Sequence, residues 1–210
     1  MAFESLIKRS ITSFILIIFF SFIFLYLDSY LKFFIYIFYL IIFFEILFYF
    51  RKNIYIFVIS NIYLFFSLYC LEFYFNNYFI KEIFIFTIFI IVIFDISSYL
   101  LGSKYGKFKI LPIISPNKTL FGLTSGIFFT LILSLILNYY FNIFNFYQCI
   151  YFAFITLIFS FFGDLAESYL KRKSFLKNSS NFLPGHGGFF DRFDSFIMVI
   201  IWLFLFHTIL

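Results

Sequence analysis

Charged and strongly polar positions divide this chain into seven apolar blocks, at roughly 11–27, 33–50, 54–71, 83–101, 120–137, 147–167 and 190–208. Each has about the 17 to 25 residues that a helix needs to cross a hydrocarbon core. The pattern predicts an all-α fold, a polytopic membrane helix bundle of about seven transmembrane helices. The chemistry-poor N-terminal transmembrane helices fill 1–82. The polar motifs all fall in a C-terminal membrane domain, 83–210.

Composition agrees with this reading. With 64% hydrophobic and 12% charged residues, the chain carries more apolar surface than a soluble core of 210 residues can hide. The 43 Phe and 17 Tyr accompany abundant Ile, Lys and Asn, all residues of AT-rich codons, so the aromatic richness reads as genome bias rather than as a binding signal. The basic residues say more. With the N-terminus in the cytoplasm, Lys8, Arg9, Arg51, Lys52, Lys104, Lys107, Lys109, Lys118, Lys171, Arg172, Lys173, Lys177 and Arg192 fall on the cytoplasmic side. Lys32 and Lys81 are left for the other, which is the positive-inside bias. The first block lacks a small-residue cleavage site and is followed by further blocks, so a retained first helix is expected rather than a signal peptide.

A few polar residues interrupt the blocks. Glu45 lies one or two turns from Arg51 and is expected to reach the interface there. Asn138, Asn142 and Asn145 are expected in a short loop on the opposite side. Cys70 and Cys149 have no metal-ligand spacing and read as small buried hydrophobes. His207 reads as a core or interface histidine.

One stretch stands apart, GDLAESYLKRKSFLKNSSNFLPGHGGFFDRFDS from Gly163 to Ser195. If its start is helical, Asp164, Glu167, Ser168 and Lys171 share one face by their spacing. Asp191, Asp194 and Ser195 do so at the start of the last block. Between them runs a basic loop in which Gly185, Gly187 and Gly188 permit positive φ and close backbone approach to a ligand. Carboxylates for a divalent cation, cations for phosphates and bare backbone suit phosphoryl or nucleotidyl transfer. His186 could contact phosphate, act as an acid or shape the turn.

A second stretch begins at the end of the fourth block, where Asp95, Ser98, Tyr99 and Gly102 share a face by spacing. A basic, glycine-containing loop, Gly102 to Lys109, follows. Then Ser115-Pro-Asn-Lys118-Thr119 leads into the fifth block. Lys118 and the free N–H groups of that helix form a candidate triphosphate anchor, while Thr119 or Ser115 could serve as its N-cap.

Ser168, Leu170, Lys171, Arg172, Lys177, Ser180, Leu183, Pro184, His186, Gly187, Gly188, Phe189, Asp191, Arg192, Phe193 and Asp194 resemble the C-terminal signature of bacterial phosphatidate cytidylyltransferases. Asp95, Tyr99, Gly102, Gly106, Ser115, Pro116, Lys118, Thr119, Gly122 and Gly126 resemble the segment that precedes it in that family. Two positions depart from the pattern: Asn178 stands where the family has Asp, and Phe121 where it has Glu. The resemblance covers about the last 115 residues.

The resemblance implies CTP and phosphatidate as substrates, CDP-diacylglycerol and pyrophosphate as products, and a cytoplasmic-side active site in a bacterial inner (cytoplasmic) membrane. Asp164 and Asp191 are expected to hold catalytic Mg²⁺, supported by Glu167 and Asp194, with Lys171, Arg172 and Arg192 completing the catalytic set. Asp95, Tyr99, Ser115, Lys118, Thr119, Ser168, Lys177, His186, Gly187 and Gly188 are expected at the substrates. A second, monovalent cation and a homodimer are left open; no nucleic-acid partner is expected.

Three other classes meet specific objections. A CTP-dependent kinase of a polyprenol or similar lipid alcohol would share the spans and phosphate-binding residues, but the full HGGxxDRxD ending argues against it. A CDP-alcohol phosphotransferase would need a DGxxAR-type motif, which this chain lacks. A transporter would place charges at mid-span, whereas these cluster at predicted helix ends.

Overall fold

The computed structural model describes residues 30–176, 178–180, 182 and 187–209, so the first apolar block lies outside the described residues. The other six blocks are helices. They are α1 (Leu31–Glu45, continued by a π-helical turn, Ile46–Phe50), α2 (Ile54–Asn77), α3 (Lys81–Tyr105), α4 (Leu120–Phe141), α5 (Phe146–Lys173) and α6 (Phe190–Ile209). Between α3 and α4 a short antiparallel hairpin, β1 (Lys109–Leu111) and β2 (Ser115–Thr119), replaces the plain loop expected there. Among the described residues five helices, α1 with its π turn through α5, are long and apolar enough to cross a membrane. The chain is thus an all-α polytopic bundle. It forms two compact units. One joins the chain up to Leu68 with Leu170–Phe193, and the other joins Tyr69–Tyr169 with Asp194–Leu210.

In the first unit, α1 buries Leu31, Ile35, Phe38, Ile42 and Glu45, a seam that repeats at alternating four- and three-residue steps. Phe38 stacks on Phe189 and Phe193, at 5.8 and 4.9 Å between ring centroids. Tyr39 and Ser67 share a 2.6 Å hydrogen bond that ties α1 to α2. The π turn then shifts the phase by one residue, and Ile46 and Phe50 are wholly buried, with Phe50 edge-on to Phe190. Asn53 ends the turn and starts α2, its side chain accepting from Ile56 N.

The second unit is organised by a four-residue repeat of small or short polar residues. Gly122, Gly126, Thr130, Ser134 and Asn138 form the buried face of α4. Such residues let helix backbones approach closely in a membrane, where apolar side chains gain nothing by leaving lipid. A Cβ on Gly122 would lie 2.6 Å from Ser98 O and 2.9 Å from Gly102 Cα, so α3 and α4 touch backbone to backbone. Asn138 belongs to this helix rather than to the loop expected from the sequence. Its side chain holds both N and O of Phe144, while Asn142 ends α4 in the left-handed region at φ 50°. Cys70 and Cys149 are buried free thiols, and His207 stacks on Tyr78 inside the unit, as expected.

Candidate active site

α5 stays helical through Lys173, six residues beyond the predicted end of its block, because Ala166 to Lys173 contains no helix breaker. It then closes with Phe175 at φ 57°, Leu176 N bonding back to Lys171 O and Phe175 N to Arg172 O. This is a Schellman closure, usually made with glycine at the left-handed position. Phe175 is almost fully exposed.

In the first unit the polar centre is Asp191, in the first turn of α6. Lys171 Nζ lies 2.7 Å from Asp191 Oδ1, both side chains largely buried. Ser179 donates to Asp191 Oδ2 through its backbone N at 3.0 Å and its Oγ at 3.1 Å, and Gly188 N donates to the same oxygen at 2.8 Å. Gly187 adopts φ +84°, and a Cβ there would press on Asp191 Oδ2. This position requires glycine on both counts. Arg172 and Arg192 are exposed, and Asn178 stands exposed beside Gly187. Lys177 and His186 lie outside the described residues.

Glu45 is the residue that sequence reasoning misplaced. Instead of reaching the interface near Arg51 it is fully buried, and among the described residues its hydrogen-bond donors come from the signature segment. Oε1 accepts from Ser180 Oγ at 2.7 Å and Phe189 N at 2.8 Å; Oε2 accepts from Phe190 N at 2.8 Å and Ser179 Oγ at 3.3 Å. Burying a carboxylate is costly by several kcal/mol unless donors replace water. Here the free amides at the start of α6 supply them. The signal was in the sequence: Leu31, Ile35, Phe38, Ile42 and Glu45 fall on one line, which puts the glutamate on the buried seam.

In the second unit Lys118 Nζ pairs with Asp164 Oδ2 at 2.7 Å and sits 4.4 Å above the Phe161 ring centre. Ser168 Oγ donates weakly to Asp164 Oδ1 at 3.4 Å, so these two share a face of α5 as their spacing predicts. Glu167 is buried. α5 meets α6 closely at Gly163, where a Cβ would lie 2.6 Å from Asp194 O, and Ser195 Oγ donates to Ser160 O. Thr119 caps α4, accepting from Gly122 N at 3.2 Å and donating to Gly102 O. Leu120 N is taken by Phe108 O. These two first-turn amides are thus satisfied inside the protein. Ser115 pairs with Leu111 across the hairpin. On α3 the packed face is Phe94, Ser98 and Gly102, against α4, while Asp95 and Tyr99 are exposed beside it. The four do not share one environment, since a helix places i+3 and i+4 positions on opposite flanks of a narrow contact line.

Among the described residues no three His, Cys, Asp or Glu side chains converge as a metal-binding group. An open groove of about 490 Å³ in the first unit is lined by Lys52, Asn53, Ile54, Tyr55, Ser174, Phe175 and Leu176, which include none of the expected site residues.

The sequence profile of the cytidylyltransferase family matches residues 49–210. Proteins named phosphatidate cytidylyltransferase are similar to this chain. That of Staphylococcus aureus (strain COL) is 47% identical over 109 residues, 50% of this chain and 41% of the relative. That of Bacillus subtilis (strain 168) is 46% identical over 113 residues, 52% of this chain and 41% of the relative. That of Staphylococcus haemolyticus (strain JCSC1435) is 42% identical over 108 residues, with 50% and 41% covered. The matched stretch thus spans well under half the length of these relatives. The profile match takes in well over half of this chain and every site residue described above except Glu45, and the chain belongs to the cytidylyltransferase family.

Proposed function

We propose that this chain is a phosphatidate cytidylyltransferase of a bacterial cytoplasmic membrane, N-terminus inside, that transfers CMP from CTP to phosphatidate. A phosphate oxygen of phosphatidate attacks the α-phosphorus of CTP. A new P–O bond forms, the bond from that phosphorus to the bridging oxygen of the β-phosphate breaks, and pyrophosphate leaves with the electron pair. The attacking oxygen is already an anion, so no strong base is needed, and rate comes from positioning and charge neutralisation. The observation that carries the reading is the pairing of a lysine with an aspartate in each unit, Lys118 with Asp164 and Lys171 with Asp191, within a family-matched stretch. Each pair holds a cation that can turn to phosphate.

Asp164 fits a Mg²⁺ ligand. Its side chain is about one-third exposed, and among the described residues Oδ1 receives only the long Ser168 contact. Magnesium usually takes one or two protein carboxylates and completes its shell with water and phosphate oxygens. In the second unit Asp164 would hold the ion, with Glu167 and Asp194 in support; bound there, it would offset charge developing on the phosphates. Asp191 has both oxygens filled by protein donors, so as a ligand it would first have to release Lys171. Lys118, Lys171, Arg172 and Arg192 would bind phosphates. Phosphatidate, with two acyl chains, would keep its tails in hydrocarbon and present its head group at the helix ends.

The test is to incubate the purified protein in detergent with labelled CTP, phosphatidate and Mg²⁺. A CDP-lipid and pyrophosphate are expected in equal amounts. Label appearing instead in a phosphorylated lipid alcohol, when a polyprenol is offered, would replace this reading with a kinase.

A further inference from the structure

Three consecutive amides at the start of α6, those of Gly188, Phe189 and Phe190, each donate to a carboxylate. Asp191 takes the first and Glu45 the other two. The two carboxylates are linked, because Ser179 Oγ lies 3.3 Å from Glu45 Oε2 and 3.1 Å from Asp191 Oδ2. A hydroxyl has one proton, so Ser179 donates to one of them at a time. Asp191 in turn holds Lys171 at 2.7 Å. A continuous polar chain therefore runs from Glu45 through Ser179 and Asp191 to Lys171. Its far end is the cation assigned above to a substrate phosphate.

Two further observations point the same way. A Cβ on Gly188 would lie 2.7 Å from both Glu45 Oε2 and Ser180 Oγ, and closer still to Ser179 Oγ. The glycine is thus required by the two serine hydroxyls and the carboxylate packed against it. Glu45 also lies where α1 passes into the π turn Ile46–Phe50, an irregularity frequent at functional sites, and no described lysine or arginine pairs with it. A glutamine would satisfy fewer of the four donors, because its NH₂ cannot accept.

We propose that Glu45, four residues outside the family-matched stretch, is a positioning residue for the transfer reaction. It fixes the first turn of α6 and, through Ser179, the geometry of the Asp191–Lys171 pair. The catalytic part of this inference rests on the cytidylyltransferase reading; the structural part does not.

Three variants test it: Glu45→Gln, Ser179→Ala and the double variant, each compared with wild type in CDP-lipid formation. Glu45→Gln is expected to lower kcat/KM at least tenfold, with KM for one of the two phosphate substrates raised threefold or more. A variant that merely folds less well loses active protein but keeps both KM values. The double variant should be little worse than the poorer single one, because both cut the same chain. Multiplying effects, or unchanged KM values, would overturn the proposal. Ser179→Ala keeps the KM test standing if Glu45→Gln does not fold. Hydrogen exchange at the amides of Phe189 and Phe190 is the activity-independent arm. Glu45→Gln should speed it at least tenfold, and unchanged protection would overturn the proposal. If wild-type protein makes no CDP-lipid the functional reading fails, and this arm alone decides whether Glu45 sets the start of α6.

Discussion

Lys118 Nζ stands 2.7 Å from Asp164 Oδ2, held above the face of Phe161 and close enough to reach the Phe161 carbonyl at 3.5 Å. A lysine in this place balances the charge of the aspartate within the protein itself. Were a metal ion to take over the carboxylate, as proposed above, the same lysine would be released toward a phosphate.

Asp164→Asn should therefore cost activity rather than stability. The pair is partly exposed, at 19% for the lysine and 34% for the aspartate, so losing it changes folding by about 1 kcal/mol or less. Loss of a magnesium contact should slow CDP-lipid formation roughly a hundredfold or more. The measurement is rate across a Mg²⁺ titration, with Glu72→Gln, a carboxylate that accepts from Asn76 on its own helix, as a control. Near-normal rate and Mg²⁺ dependence in Asp164→Asn would remove this assignment.

Asp191→Asn should behave differently. Its carboxylate is 11% exposed and accepts from Lys171, Ser179 and Gly188, and an amide in its place would remove the negative charge that balances Lys171 and one of the two acceptor oxygens. Breaking a buried pair in this way costs about 3–5 kcal/mol. The expected outcome is a lower unfolding temperature together with lost activity. An Asp191→Asn protein as stable as Asp164→Asn would show that its donors do not organise the loop.

The contrast between these aspartates marks what the sequence could and could not reveal. Spacing alone placed Asp164 and Ser168 on one helical face, and a dense motif picked out Lys171 and Asp191. Apolar blocks gave six helices of the described chain, with ends that differ by as many as six residues. The partners of each charge were not legible, since Lys118 meets Asp164 across 46 positions of chain and Glu45 meets Phe190 across 145. Glu45 was misread for a physical reason. A lone carboxylate in an apolar run with arginine nearby suggests escape to water, whereas the fold brings it the free amides of a helix end. The hairpin between α3 and α4 was hidden too, because its strands are three and five residues long and carry no alternation.

Close contact of α3 and α4 gives a prediction about packing. Gly126→Ala would place its Cβ on Ser98 Oγ and 3.1 Å from Phe94 Cε2. Overpacking of this kind typically costs about 1–3 kcal/mol. Ser98→Ala removes the offending oxygen, so the double variant should recover much of the lost thermal stability in detergent. If Gly126→Ala unfolds at the wild-type temperature, the backbone contact between these helices is not present.

Membrane orientation is tested by single cysteines placed at Lys52, Lys107 and Lys173. Each belongs to a basic segment beside a helix end, and the proposed orientation, which rests on the positive-inside bias, would put all three in the cytoplasm. Native Cys70 and Cys149 are fully buried and should stay silent toward a membrane-impermeant maleimide. Labelling is expected only after the cells are opened. Reaction at any of the three in intact cells would reverse the map.

The last prediction concerns Asn178, which stands where the family pattern has an aspartate. Its side chain is exposed, and its Cβ lies about 3.4 Å from where a Cβ on Gly187 would be, at the edge of the loop that wraps Asp191. A carboxylate there would bring a second negative charge near Asp191, whose Lys171 partner already neutralises one. At an exposed position in high dielectric the added repulsion is of order 1 kcal/mol, so neither folding nor rate should change much. An asparagine carbonyl can also accept the hydrogen bond that an aspartate would. Asn178→Asp should thus alter the rate of CDP-lipid formation by no more than a few-fold, with a matching Mg²⁺ requirement. A gain of several orders of magnitude would mean that the chain lacks a charge the reaction depends on, and that Asp164 and Asp191 do not suffice for catalysis.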